Sequence, residues 1–274
     1  MNSDPVKPPA QITADWLNSL SAAHRAQFLQ GDWARWMQGW AASHTTFLRW
    51  TRRTLLDTQK VSNGSIFFLS FGEKLLAVTA AHVYEGYLRD KSKAPRHIIC
   101  HIGNLLFNPE ERLVGLGSSK TVDIATFSLT WDELRQIGKQ SVMGSPWPPP
   151  VPTIGQAAFL SGFPGMLRIW VGRRDLSFAM YSGLNPIDRV DERFVTCVLN
   201  RAFWVGSAGE RLPPELSDIG GISGGPVLLP LERNNGEWSL TLAAVISQGA
   251  FGAILHATHA RFINEDGAVT VSEG

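Results

Sequence analysis

The chain has 274 residues, 44% of them hydrophobic and 18% charged. That is enough apolar material for one large or two-lobed domain, and too much for a disordered chain. Twenty-five Lys and Arg against 24 Asp and Glu leave a formal net charge of +1, which argues against a protein whose main task is neutralising phosphates. Two cysteines, Cys100 and Cys197, cannot build a disulfide framework or a four-cysteine zinc site. They read as free thiols buried as small hydrophobes.

The first ten residues, MNSDPVKPPA, are polar and proline-containing, and lack the basic stretch and long apolar run of a secretory leader. The longest apolar runs, 75–83 and 240–246, are too short to span a bilayer. A soluble cytoplasmic chain with no membrane contact is expected.

In residues 13–42, Trp16, Leu17, Leu20, Phe28, Leu29, Trp33, Trp36, Met37 and Trp40 recur mostly at spacings of three and four. This predicts helix, split in two at Gly31. Five of the ten tryptophans lie in the first fifty residues. They form either a face packed on the main body or a docking surface for a regulatory protein partner.

From about residue 60 the texture turns to short β-rich runs: 65–71, 75–79, 98–102, 122–129, 157–162, 168–171, 194–199, 226–229, 239–246 and 268–271. Gly, Pro, Asn and Asp clusters punctuate them. Gly72-Glu73-Lys74 reads as a hairpin turn. Many short strands with few helices predict an all-β barrel or sandwich. The proline-rich stretch 146–152, PWPPPVP, reads as a linker between two β lobes. The expected units are an N-terminal tail and helical extension over 1–55 and a main domain over 56–274. In the latter, a first lobe spans about 56–145 and a second about 153–274.

Three segments carry chemistry. One is a strand ending in Thr79-Ala80-Ala81-His82; another is Val122-Asp123-Ile124-Ala125; the last is Gly221-Ile222-Ser223-Gly224-Gly225-Pro226. Singly, each reads equally well as a strand end, a cap or a tight turn. Together they supply a hydroxyl nucleophile, a base that titrates near neutrality, and a carboxylate to orient that base. The backbone N–H groups of Gly221 and Ser223 can serve as an oxyanion hole.

These segments resemble the T-A-A-H, D-I-A and G-x-S-G-G-P signatures of the trypsin-like (chymotrypsin-fold) serine peptidases, in the same chain order. His82 and Asp123 are 41 residues apart, and Asp123 and Ser223 are 100 apart. Gly64-Ser65-Ile66-Phe67-Phe68 resembles the family's G-S/T-G-F-F segment, with Ile66 replacing its middle glycine. Ser161-Gly162-Phe163-Pro164-Gly165 resembles its G-Y/N-P-x-G turn, and Val245–Gly249 its I-V-S-W-G strand. The resemblance covers about residues 60–250. It implies two six-stranded antiparallel β-barrels with the site between them, here preceded by a helical extension. It also implies a serine endopeptidase with the triad His82, Asp123 and Ser223, acting on a protein or peptide without a cofactor. Ser247 and Gly249 would pair with an extended substrate, and Ser217 would floor the specificity pocket. An uncharged floor implies neutral, small-to-medium residues before the cleaved bond, unless a loop shift brings in Asp218.

Ile222 departs from the family's secreted digestive members, which have an Asp there that pairs with a new N-terminus after zymogen cleavage. The chain therefore looks more similar to bacterial and viral members that need no such cleavage. A regulated intracellular effector fits the same reading. The alternative is a catalytically silent peptidase-fold binding module acting with a partner. Elsewhere, His256 and His259 have an HxxH spacing that would share a helix face, but without a third ligand they read as surface or structural histidines, and no metal is expected. Cys100 and His101 would point to opposite faces of a strand. Arg49, Arg52 and Arg53 read as a solvated helix end or a contact for an acidic partner. No nucleic-acid motif is present.

Overall fold

The structure is a computed structural model. It describes residues 7–52, 60–118, 120–171, 175–199, 203, 205, 219–249 and 254–270.

The N-terminal stretch forms three helices: α1 (Ala14–Ser19), α2 (Ala22–Gln30) and α3 (Asp32–His44). The Thr13 and Ser21 hydroxyls accept from the N–H groups of Trp16 and His24, capping α1 and α2. Gly31 ends α2, as expected, because a Cβ there would lie 2.4 Å from the Gln27 carbonyl oxygen. The additional break at Leu20-Ser21 comes from the second cap. Leu17, Phe28, Leu29, Met37 and Ala41 are buried in one apolar cluster with Phe159, Leu184, Leu228 and Leu242 of the C-terminal half. Trp16, Trp33 and Trp40 pack on that cluster, Trp50 is buried in another, and Trp36 is 37% exposed at the rim. The aromatic face thus lies mostly on the body of the protein.

The first sheet holds β1 (Thr45–Arg52), β2 (Lys60–Phe71), β3 (Lys74–Thr79), β4 (Ile98–Ile102), β5 (Leu105–Leu106), β6 (Leu113–Leu116), β7 (Ala125–Leu129) and β8 (Val142–Met143). Its order is β5-β4-β1-β2-β3-β7-β6, with β8 parallel to β2. Helices α4 (Ala81–Lys93), α5 (Pro109–Arg112) and α6 (Trp131–Ile137) interrupt it. Six strands of the second half close into a barrel, β12-β13-β16-β15-β14-β9. These are β9 (Ala157–Gly162), β12 (Tyr181–Val190), β13 (Phe194–Val198), β14 (Pro226–Glu232), β15 (Trp238–Gly249) and β16 (Ile254–His259). A separate antiparallel pair, β10 (Arg168–Val171) and β11 (Asp175–Phe178), lies between β9 and β12 in chain order.

The chain is mostly β, with one closed six-stranded antiparallel barrel. The other expected barrel is a curled half-barrel of eight strands. Its edge strands β5 and β6 are only two and four residues long, too short to close the sheet. Helix α6 instead supplies Leu134 and Ile137 to the interior between them.

Several elements differ from the sequence expectation. Strand β1 carries Arg49 and Arg52 into the first sheet, so the boundary expected at 55/56 falls after a sheet strand and those arginines are not on a helix end; Arg53 lies outside the described residues. Strand β12 is not among the expected runs; it passes through Gly183, Asn185 and Pro186, residue types that disfavour strands, because β9 pairs with it residue for residue. Only 125–129 of the run 122–129 is strand. Within 268–271 there is a single bridge, Ile263 to Val269, and 271 is outside the described residues. The proline-rich stretch lies between β8 and β9. Its Trp147 packs edge-on against Phe71 and donates Nε1–H to the Ile263 carbonyl at 2.8 Å. Cys100 and Cys197 are free and buried, and burial pushes both thiols up to about 12. No described helix is long and apolar enough to cross a membrane.

Burial holds the imidazoles of His44, His101 and His259 below the ordinary histidine value. His44 stacks on Trp40, and its Nδ1 lies 2.7 Å from the Trp40 carbonyl oxygen. Each ring is favoured as neutral in the folded chain, whereas the unfolded chain protonates it at the ordinary value. Stability is therefore full above about pH 6.5 and is lost as pH falls through that value. The melting temperature should drop between pH 7.5 and 5.5, and His259→Gln should flatten that slope. A melting temperature constant across the interval would contradict this account.

Candidate active site

Strand β3 ends at Thr79, and Ala80 leads into α4, which places His82 in the helix's first turn. Ala80 offers α4 no side-chain cap. Asp123 supplies one from the loop entering β7. Its Oδ1 accepts the His82 backbone N–H at 2.9 Å, and its Oδ2 lies 2.7 Å from His82 Nδ1. The carboxylate thus meets the positive end of the helix and fixes the ring with the same two atoms. The Asp123 side chain is 7% exposed and that of His82 is 38% exposed, so one edge of the imidazole stays open to the cleft. The loop is set by Val122 and Ile124, both buried in the core. Gly117 lets it pass, since a Cβ there would lie 1.9 Å from the Val122 carbonyl oxygen.

Ser223 lies in the loop before β14, squeezed between the two halves. A Cβ on Gly224 would lie 2.1 Å from Thr79 Oγ1 and 2.2 Å from the Ser65 carbonyl oxygen. A Cβ on Gly225 would lie 2.0 Å from the Ser161 carbonyl oxygen. Only glycine fits at either position, and Gly224 also has φ +87°. Ser65 of β2 ties the loop down. Its backbone N–H donates to the Ser223 carbonyl at 2.8 Å, and its hydroxyl donates to the Gly221 carbonyl at 2.8 Å. The same hydroxyl accepts from the Phe163 N–H at 2.8 Å. Sequence reading passed over Ser65 as a site residue. The signal was present in the Gly64-Ser65 segment, but the contact joins residues about a hundred and more positions apart.

Gly221 has φ +101°, which glycine alone adopts without strain. The Ile222 and Gly224 N–H groups are bound to the Ile219 and Ile246 carbonyls. Among the described residues, the Gly221 and Ser223 N–H groups have no acceptor. The Ile222 side chain is buried in the barrel interior.

The Ser223 hydroxyl donates to the Ser247 carbonyl at 3.2 Å, rather than to His82. Ser247 sits at a register shift between Ile246 and Gln248 on β15. Such a bulge re-aims the local backbone toward a site. One cleft of about 670 Å³ is lined by His82 and Asp123 from the first half and by Phe194, Ile219, Gly220, Ser223, Ser247, Gln248, Gly249 and His256 from the second. Ser247 and Gly249 thus border the cleft, while Gly221 adjoins its lining residue Gly220. Ser217 and Asp218 lie outside the described residues.

The HxxH pair is on strand β16, not on a helix. His256 and His259 therefore face opposite ways, and His259 is buried against the Asp191 carbonyl oxygen, 2.9 Å away. Among the described residues no three His, Cys, Asp or Glu side chains group to hold a metal ion. Sequence reading missed His256 as a cleft residue because its spacing was taken for helical.

Removing the Ser65 hydroxyl strands the buried Phe163 N–H and the part-buried Gly221 carbonyl. Ser65→Ala should cost about 1–3 kcal/mol in urea unfolding, and Gly224→Ala should cost more. A Ser65→Ala loss under about 0.5 kcal/mol would show that the hydroxyl does not join the two halves.

No family model matches the chain, and no curated protein matches it. One solved structure was reported under the words "Aromatic interactions drive the coupled folding and binding of the intrinsically disordered Sesbania mosaic virus VPg protein". It is similar at 10% identity and a TM-score of 0.40, over 80% of this chain and 87% of that one. A likeness of that degree assigns neither activity nor partner.

Proposed function

We propose that the chain is a serine endopeptidase of trypsin-like type. The observation that carries this reading is the meeting of Ser223, the open edge of His82 and the buried Asp123 in one cleft between half-barrel and barrel. Its volume suits a peptide side chain and the adjoining backbone.

A rotation of the Ser223 side chain exchanges the Ser247 carbonyl for His82 Nε2 as acceptor. Catalytic hydrogen bonds in an empty site are commonly unmade until substrate binds. Ser223 Oγ then attacks the scissile carbonyl carbon while His82 Nε2 takes its proton. Asp123 holds the proton on Nδ1 and stabilises the imidazolium that forms. The oxyanion takes hydrogen bonds from the Gly221 and Ser223 N–H groups. His82 returns the proton to the leaving amine, and water deprotonated by His82 then hydrolyses the acyl-enzyme. No cofactor enters these steps.

The bond from Ser223 to Ser247 also favours a second reading, in which the hydroxyl is held off the ring and the cleft only binds a partner. A fluorophosphonate probe separates the two, because only an activated serine reacts. Labelling at Ser223, lost in His82→Ala, supports the enzyme. Ser223→Ala should lower kcat on a cleaved peptide by a factor on the order of 10⁶. An unlabelled chain would sink the peptidase reading.

Activation follows from Ile222, whose buried apolar side chain cannot pair with a new N-terminus. The intact chain should therefore react with the probe. Mass spectrometry showing only a species truncated near residue 60 among labelled molecules would restore proteolytic activation.

A further inference from the structure

Strand β15 is paired on both sides for only part of its length. Residues 244–249 pair with β16, but 238–242 pair with β14 alone, so among the described residues their far edge has no strand beside it. The Arg233 N–H donates to the Glu237 carbonyl at 2.7 Å. Bonded pairs alternate along an antiparallel ladder. Ser239 and Thr241 therefore bond to β14, while Trp238, Leu240 and Leu242 turn their N–H and C=O groups away from it. Pro230 lies opposite Leu240, at a position where the ladder needs no N–H. Among the described residues no group bonds the outward N–H and C=O of Trp238, Leu240 and Leu242. This edge borders a groove of about 320 Å³ that is also lined by Trp36 and Trp40 of α3, Met143 of β8 and Trp147. Leu240 and Leu242 are 6% and 2% exposed, whereas Trp36 and Met143 are 37% and 71% exposed. The edge thus lies at the bottom of the groove, with apolar side chains at its mouth. Arg233 and Glu237 stand at the end nearest the turn between β14 and β15. The Glu237 carboxylate accepts from Asn235 Nδ2 at 2.8 Å, and Arg233 makes no ion pair among the described residues.

We propose that this groove is a docking site, in which an extended segment of a partner protein adds to β15 as a further strand and places an acidic residue at Arg233. Unbonded N–H and C=O groups at every second residue match another main chain in extended form. A proline-rich segment does not meet that need, because it lacks the N–H groups that the Leu240 and Leu242 carbonyls require. A second copy of this chain does not meet it either. Its own β15 edge is recessed between the same side chains, and two recessed edges cannot approach to strand spacing. The occupant is therefore a lone strand. Its side chains alternate between the two faces, and apolar ones pack on the indoles of Trp36, Trp40 and Trp147. The unpaired Arg233 guanidinium selects a carboxylate at one end. No described residue lines both this groove and the cleft at Ser223, so the inference stands apart from the peptidase reading.

The test is calorimetric binding to the full chain bearing Ser223→Ala, which prevents cleavage of the probe. The probes are capped hexapeptides of alternating Val and Thr with one Asp at either end, so that both strand directions are covered. At least one should bind, and N-methylation of every second amide should weaken it at least about tenfold, the worth of two or more main-chain hydrogen bonds. Trp36→Ala and Met143→Lys, both at exposed side chains, should each weaken it about fivefold or more, with thermal melts confirming that the variants fold. Arg233→Ala should remove the advantage of Asp over Asn in the probe. Equal binding of N-methylated and plain peptides, or tighter binding of a hexaproline, would overturn strand addition. Binding that both Trp36→Ala and Met143→Lys leave unchanged would place the peptide elsewhere and overturn the site. No binding below about 1 mM would overturn it as well. A dimer in sedimentation of the peptide-free chain that Met143→Lys dissolves would identify a second copy as the occupant instead. Probe labelling at Ser223 reports on the peptidase reading alone, since it uses none of these residues.

Discussion

The arrangement turns on a gap between two sheets that is one backbone wide. The loop carrying Ser223 runs through it with Gly224 against Thr79 and Ser65 on one side and Gly225 against Ser161 on the other. Any Cβ there would overlap backbone or a buried hydroxyl. Ser65 closes the gap with three hydrogen bonds, to Ser223, Gly221 and Phe163. The contacts that dock the half-barrel on the barrel are thus the ones that set Ser223 beside the cleft containing His82. Packing of Phe47 from β1 on Phe163 and Phe178 extends the same interface. Docking and site geometry cannot be varied independently.

Asp123 shows a similar economy. A carboxylate in low-dielectric surroundings needs partners for both oxygens. The uncapped first turn of α4 provides one and the His82 ring provides the other. Helix and ring are therefore positioned by one side chain. Gly64 makes room for Val83 of α4, since a Cβ there would lie 2.5 Å from Val83 Cγ1. That close packing seats the helix on the strand that also carries Ser65.

The N-terminal helices are part of the body. Their apolar residues share a cluster with both halves, and Ala10 and Ile12 accept backbone hydrogen bonds from Glu232 and Ala157 of the barrel. The stacking of Phe28 on Trp33, and of Trp33 edge-on to Trp238 of β15, accounts for much of the aromatic density near the N-terminus. Those tryptophans cover barrel surface that would otherwise face water.

What was legible in the sequence was local. The hairpin at Gly72, the end of α2 at Gly31 and the glycines around Ser223 follow from short-range sterics, which residue types report directly. The β character of the chain was legible in propensity and turn residues, while His82, Asp123 and Ser223 were singled out only jointly, by their combined chemistry and their resemblance to the peptidase signatures. Tertiary structure decided the rest. Strand β12 forms through Pro186 because β9 supplies its partners, and β1 forms because β2 and β4 flank it. The first sheet stays open because its edge strands are short and α6 fills the space. His256 joined the cleft only when its HxxH spacing, ambiguous between helix and strand, was resolved by pairing with β13 and β15. Ser65 acquired its role from partners about 100 to 160 residues away. Propensity and spacing describe neighbours along the chain, whereas pairing, burial and the width of a gap are set by residues that meet only on folding.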